Sequence, residues 1–153
     1  MKKYFIITIL LILFGLVFGL RLYYLQIYER SVELYEEGKF CESLKDRKIL
    51  TFFSKNMTGF YGTFYAQGLC LKQDIEIAKK SYQGTYRGED IGETLFYDGI
   101  EAHRVRKIFK MKPRIDIVRM LFIESKKLGY KPDSRAKKYL AKDNLDELYK
   151  NCK

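Results

Sequence analysis

A chain of 153 residues with a net charge of +10 and no tryptophan leaves room for one small domain and an N-terminal segment. Two prolines and no Ser/Gly-rich or low-complexity tract exclude a linker-rich or disordered protein, and thirteen Tyr and eleven Phe suit an aromatic-wedged helical core. A single histidine excludes a His-based metal cluster. The first element is residues 1–30. Met1-Lys2-Lys3 precedes an apolar run from Tyr4 to Leu20, broken only by Thr8, Gly15 and Gly19, which is the pattern of an export signal. Val17-Phe18-Gly19 is a poor cleavage site. Leu22, Tyr23, Tyr24 and Leu25 prolong the run past Arg21 with residue types of the interfacial belt. The segment is therefore expected to be an uncleaved signal-anchor with the domain outside the cytoplasm. Cleavage to a soluble protein is the alternative. Lys2 and Lys3 favour a cytoplasmic N-terminus, while Arg21, Arg30 and a basic domain on the other side leave the reverse orientation open.

From Arg21 to Gly38 neither Gly nor Pro interrupts the chain, so the helix should continue and hold the domain close to the bilayer. Residues 31–60 read as a first unit, with Ile49, Leu50, Phe52 and Phe53 on the core face of its second helix. Residues 61–90 carry the clearest pattern. Gly62 and Tyr65 lie one helical turn apart, and Gly68 stands where that helix should end in a left-handed cap. Asp74 is placed to cap a second helix, on which Ala78 and Tyr82 share a face with Ile75 and Ile77 nearby. The spacing predicts a helical hairpin in which Gly62 and Ala78 allow close approach and Tyr65 and Tyr82 wedge beside them.

The pattern recurs in degraded form. Leu34-Tyr35-Glu36-Glu37-Gly38 precedes Phe64-Tyr65-Ala66-Gln67-Gly68, and Leu95-Phe96-Tyr97-Asp98-Gly99 follows it. The second halves echo as Asp46 to Gly59, Asp74 to Gly88 and Asp116 to Gly129. Residues 91–130 thus form a third unit, with an insertion at 100–115 in which Val105, Ile108 and Phe109 suggest a helix closed by Pro113. Ile108 and Phe109 are expected to anchor it. Residues 131–153 open with Pro132-Asp133-Ser134 and carry Ala136, Leu140, Leu145 and Leu148, as a terminal capping helix would. An ordinary helical bundle is the alternative to stacked repeats.

The stretch from Tyr61 to Tyr82 resembles the Sel-one-like repeat, a relative of the tetratricopeptide repeat with the pattern Leu-Gly-x-x-Tyr-x-x-Gly-x-Gly-Val-x-x-Asp-x-x-x-Ala-x-x-Trp-Tyr. Gly62, Tyr65, Gly68, Leu71 (for Val), Gln73-Asp74, Ala78 and Tyr82 fall at matching offsets, while Tyr61, Cys70 and Ser81 stand for Leu, Gly and Trp. The resemblance implies an all-α fold: a short α-solenoid of about three helix–turn–helix repeats, with a C-terminal capping helix behind the N-terminal membrane helix. It also implies a non-catalytic protein–protein interaction module. Exported Gram-negative members include virulence-associated repeat proteins and immunity proteins against periplasm-directed lipase toxins. The expected location is therefore the bacterial inner membrane with the domain in the periplasm, and an immunity protein is one expected role.

Catalytic chemistry has no candidate. His103 sits beside Arg104 and Arg106 and reads as a surface residue, no phosphate-binding glycine loop occurs, and no carboxylate pair stands out. No cofactor and no small-molecule substrate is expected. Cys41 and Cys70 follow the aligned Tyr-x-x-Gly turns of adjacent units, and the spacing leaves a disulfide and two buried thiols equally open. Cys152 reads as part of a frayed tail. The densest basic run is Arg104, Arg106, Lys107, Lys110, Lys112 and Arg114, followed by Lys126, Lys127, Lys131, Arg135, Lys137 and Lys138. An acidic protein partner held by Arg104, Arg106, Lys107 and Lys110 is the expected reading. Anionic lipid on the basic face and a merely solvated face are the alternatives, and nucleic acid is not expected for an exported chain.

Overall fold

One helix, α1 (Lys2–Glu36), carries both the apolar run and the first helix of the domain. Nothing between Arg21 and Gly38 breaks it, and Gly15 and Gly19 have only open space around them. The structure, a computed structural model, describes residues 2–152 and the side chains of residues 6–152. Among these, seven further α-helices follow and no strand occurs: α2 (Phe40–Leu50), α3 (Lys55–Gln67), α4 (Ile75–Tyr82), α5 (Ile91–Ile108), α6 (Ile115–Lys127), α7 (Ser134–Lys142) and α8 (Asp146–Lys150). A single 3-10 turn, Tyr86–Gly88, joins α4 to α5. Consecutive helices pack as pairs, α1 on α2, α3 on α4 and α5 on α6, and α3 touches both α2 and α5. The N-terminal part of α1 stands clear of this body, with Phe14, Val17 and Leu11 exposed. It is long and apolar enough to span a membrane.

The central pair keeps the caps and the close contact of its sequence reading. Gly68 takes φ +60 and closes α3, with the Leu69 amide donating back to the Phe64 carbonyl at 3.1 Å. Asp74 accepts from the Ile77 amide at 2.9 Å and so caps α4. Ala78 and Tyr82 are fully buried, and Tyr65 packs beside them. Gly62 is the point of closest approach: a Cβ there would lie 2.7 Å from Ser81 Cβ and 2.9 Å from the Tyr82 ring.

The third unit departs from expectation. Helix α5 runs through Gly99 to Ile108, so residues 100–115 are no insertion but two further turns of the first helix and a loop. Gly99 is not a cap. Its missing side chain makes room for the Phe122 ring, 2.8 Å from where a Cβ would stand, which is the role Gly62 plays against Tyr82. The left-handed cap falls instead on Lys110, φ +52, with the Met111 amide on the Arg106 carbonyl at 2.8 Å. Phe109 packs into the cluster of Phe40, Leu44, Phe64, Leu69 and Val105. Ile108 does not anchor anything and faces solvent.

The first unit also differs. Helix α2 starts at Phe40 and stops at Leu50, so Asp46 lies inside it rather than before a second helix, paired to Arg30 at 2.6 Å. Of the expected core face only Leu50 is buried. Ile49 and Phe53 are partly exposed, and Phe52 is 85% exposed. In the second unit Ile77 likewise faces out, and the left-handed glycine after α4 is Gly84, not Gly88. The C-terminal segment is two helices, split at the left-handed Asn144. Cys152 is not frayed: it is buried in the main core and its thiol donates to the Leu148 carbonyl at 3.0 Å.

Cys41 and Cys70 form a disulfide across 29 residues, with Cα atoms 5.2 Å apart. Cys70 takes a φ of +61, a left-handed conformation that ordinarily favours glycine. Here a cross-link takes the place of conformational freedom. Loop closure of this length should contribute about 3–4 kcal/mol. Chemical denaturation of the full chain in micelles should show Cys41→Ser losing that amount, and Cys70→Gly losing about 1 kcal/mol less because the left-handed strain is relieved. In the same assay Gly62→Ala should cost about 1–3 kcal/mol through overpacking against α4. An unchanged midpoint would mean that the two helices can separate without penalty.

Candidate functional site

Helices α1, α2, α3 and α5 and the 3-10 turn surround an open cavity of about 310 Å³. Its wall combines aromatic rings with three arginines and two carboxylates. Tyr35 comes from the end of α1, Arg47 from α2, Phe60 and Gln67 from α3, Arg87 from the 3-10 turn, and Tyr97, Asp98, Glu101 and Arg104 from successive turns of α5. The long α5 makes this possible: had it ended at Gly99, Glu101 and Arg104 would not reach the wall.

Asp98 is the buried centre. Tyr82 Oη donates to its Oδ2, Gln67 Nε2 donates to its Oδ1 at 3.3 Å, and Arg87 Nη1 lies 3.5 Å from the same oxygen. Gln67 in turn accepts a long hydrogen bond from Tyr35 Oη at 3.5 Å. Burial lifts the Asp98 carboxyl above its ordinary range, against the opposing pull of Arg87 and the two donors. Burial likewise pushes the Tyr82 hydroxyl far up, helped by the neighbouring Asp98 charge. For Arg87, burial weakens the cation, but the Asp98 charge together with Tyr82 and Tyr86 more than restores it.

Arg47 has no such partner. Its guanidinium stacks over the rings of Tyr35, Phe60 and Phe64 at 5.2, 5.4 and 5.5 Å. Its Nε is buried without a hydrogen bond, and among the described residues it makes no ion pair. Burial pulls its pKa down, and no carboxylate offsets that desolvation. Cation–π contact compensates in part. Arg104 differs: its Nε donates to Asp143 at 2.7 Å and its guanidinium lies 4.8 Å from the Tyr139 ring. Burial also raises the Glu101 carboxyl, which Arg104 and Arg87 partly oppose.

The expected partner-binding residues are therefore not one patch. Arg104 lines the cavity but is ion-paired. Arg106 is 5% exposed, so it cannot face a partner; it donates to the Gln67 carbonyl at 2.7 Å and to the Ala102 carbonyl at 3.0 Å, and so caps α3 from α5. Lys107 and Lys110 remain exposed. His103 is half-buried rather than on the surface, at a second cavity of about 160 Å³ with Met111, Pro113 and Arg114. Among the described residues no group of three His, Cys, Asp or Glu side chains is gathered as a metal would need. Arg47, Arg87 and Asp98 escaped the sequence reading. The only signal was position: Gln67 and Asp98 are polar residues standing before aligned glycines on otherwise apolar faces.

Comparison of the chain with family models, with curated proteins and with solved structures returned no match.

The raised Asp98 value has a sign that can be tested. The folded chain binds this proton more tightly than the unfolded chain. Its contribution is therefore full below the ordinary value of 3.8 and is lost as pH rises through the raised folded value. Asp98→Asn lacks that dependence. Melting of full-length protein in micelles should show the wild type losing ground to the variant as pH climbs toward neutrality. Parallel pH curves would mean that the carboxyl ionises as if in water.

Proposed function

We propose that this chain is a membrane-tethered, non-catalytic protein-binding module, and that the cavity between α1, α2, α3 and α5 receives an acidic side chain of its partner. The observation that carries the reading is Arg47: a desolvated cation with three aromatic rings around it, no carboxylate paired to it among the described residues, and an open cavity beside it. Arginine and tyrosine in a partly dry pocket are what interface hot spots are made of. Lys107 at the end of α5 and Lys110 just beyond it, both exposed, supply long-range attraction for an acidic surface rather than contact energy.

The Sel-one-like resemblance supports a stacked-hairpin solenoid, in which the three helix pairs present one binding surface. The apolar stretch of α1 supports a single-pass anchor. The Cys41–Cys70 disulfide supports a domain on the oxidising, periplasmic side of a bacterial inner membrane. An envelope immunity protein that holds and neutralises a periplasm-directed toxin is the specific form of this reading.

The test is cross-linking and co-purification of the full-length protein from membranes of its own cell. Arg47→Met keeps the aromatic packing and should lose the captured partner by at least about tenfold in affinity, the equivalent of 1.4 kcal/mol. Lys107→Glu with Lys110→Glu should slow association mainly at low salt. Recovery of the same partner at the same affinity by the Arg47 variant would sink the assignment of this cavity.

A further inference from the structure

We infer that the turn between α2 and α3 is a second membrane contact, in which Phe52 enters the interfacial layer of the same bilayer that α1 crosses. The inference rests on α1 spanning the membrane. From Tyr4 to Tyr24 the helix rises about 30 Å at 1.5 Å per residue, which matches a hydrocarbon core of about 30 Å. Tyr23 and Tyr24 then lie at the outer boundary, where tyrosine is favoured, and Arg21 can reach the headgroups along its own stem.

The domain begins at that level. Ile27, one turn beyond Tyr24, is already buried with Leu50 and Met57. Phe53 packs edge-on against Tyr23 and Tyr24, with ring centroids 6.3 and 6.0 Å away. The α2–α3 turn is thereby fixed beside the boundary residues of α1. Phe53 points toward α1, and Phe52, its neighbour in the chain, is 85% exposed, the largest exposure of any large apolar residue described. Ile49, bonded through its carbonyl to the Phe52 amide, is also exposed, as are Leu22 and Tyr23 on α1. Lys48 and Lys55 flank the turn and are both exposed to solvent. An apolar tip rimmed by lysines, held level with an aromatic belt, suits a bilayer with anionic headgroups. Because α1 has no break between its apolar part and Glu36, the tip's height is set by the helix itself.

The chain contains no tryptophan, so a single introduced one reports alone. Full-length Phe52→Trp and, separately, Phe14→Trp are reconstituted into phosphatidylethanolamine–phosphatidylglycerol vesicles with and without acyl-brominated lipid. Both sites are exposed on the protein, so the fold should be kept, and circular dichroism checks it. The expected result is quenching of both by brominated lipid, with Phe52→Trp blue-shifted and shielded from acrylamide. If Phe14→Trp is quenched while Phe52→Trp stays open to acrylamide, the turn is in water and the inference falls alone. Shielding of Phe52→Trp without lipid quenching would place it against protein, such as a second copy of the chain, and overturns the inference as well. Absence of quenching at Phe14→Trp removes the spanning reading and the inference together.

Discussion

Asp98 is the group on which the rest of the domain depends. Its carboxyl joins Tyr82 at the end of α4, Gln67 at the end of α3 and Arg87 in the 3-10 turn, all from a position inside α5. Hairpins that meet only through apolar faces could slide, because dispersion and hydrophobic contact are not directional. A buried acceptor with several donors from different elements gives the α3–α4 hairpin one register relative to α5. The energetic side is less favourable, since burying a carboxylate costs several kcal/mol before its partners offset it. What the network supplies is a shared geometry, and the cavity wall follows from it.

How legible this was depends on which physical signal each residue carries. The α3–α4 pair was readable because its determinants are local: a left-handed cap at Gly68, an N-cap at Asp74, and small and aromatic residues at helical offsets. The same residue types misled at Gly99. A glycine marks either a cap or a close helix contact, and composition does not distinguish them. Here the contact with Phe122 decided, and α5 continued. Phe52 misled in a related way, because hydrophobicity alone does not say whether the apolar environment is a protein core or a lipid surface.

Charge was the least legible property. Arg104, Arg106, Lys107 and Lys110 read as one basic run, yet they do three different things: Arg104 pairs with Asp143, Arg106 caps α3 from within the fold, and the lysines face water. Arg47, set in the mixed-charge run Lys45-Asp46-Arg47-Lys48, is, among the described residues, the guanidinium stacked on three rings with no acid paired to it. Run density counts charges without weighing desolvation. Desolvation is set by tertiary neighbours from Tyr35 and Phe60, which no local window contains.

The continuous α1 connects the two candidate surfaces. Tyr35, which stacks under Arg47 and reaches Gln67, lies on the same unbroken helix as the apolar stretch and Tyr23. A flexible linker would let the domain sample all orientations above a bilayer, and only effective concentration would be gained. A helix without a hinge instead fixes the orientation of the α2–α3 turn and of the cavity relative to the apolar stretch. The disulfide between Cys41 and Cys70 extends this rigidity from α2, packed on α1, to the loop after α3. For the binding role proposed above, this preorganisation means that less of a partner's binding energy would be consumed in ordering the site.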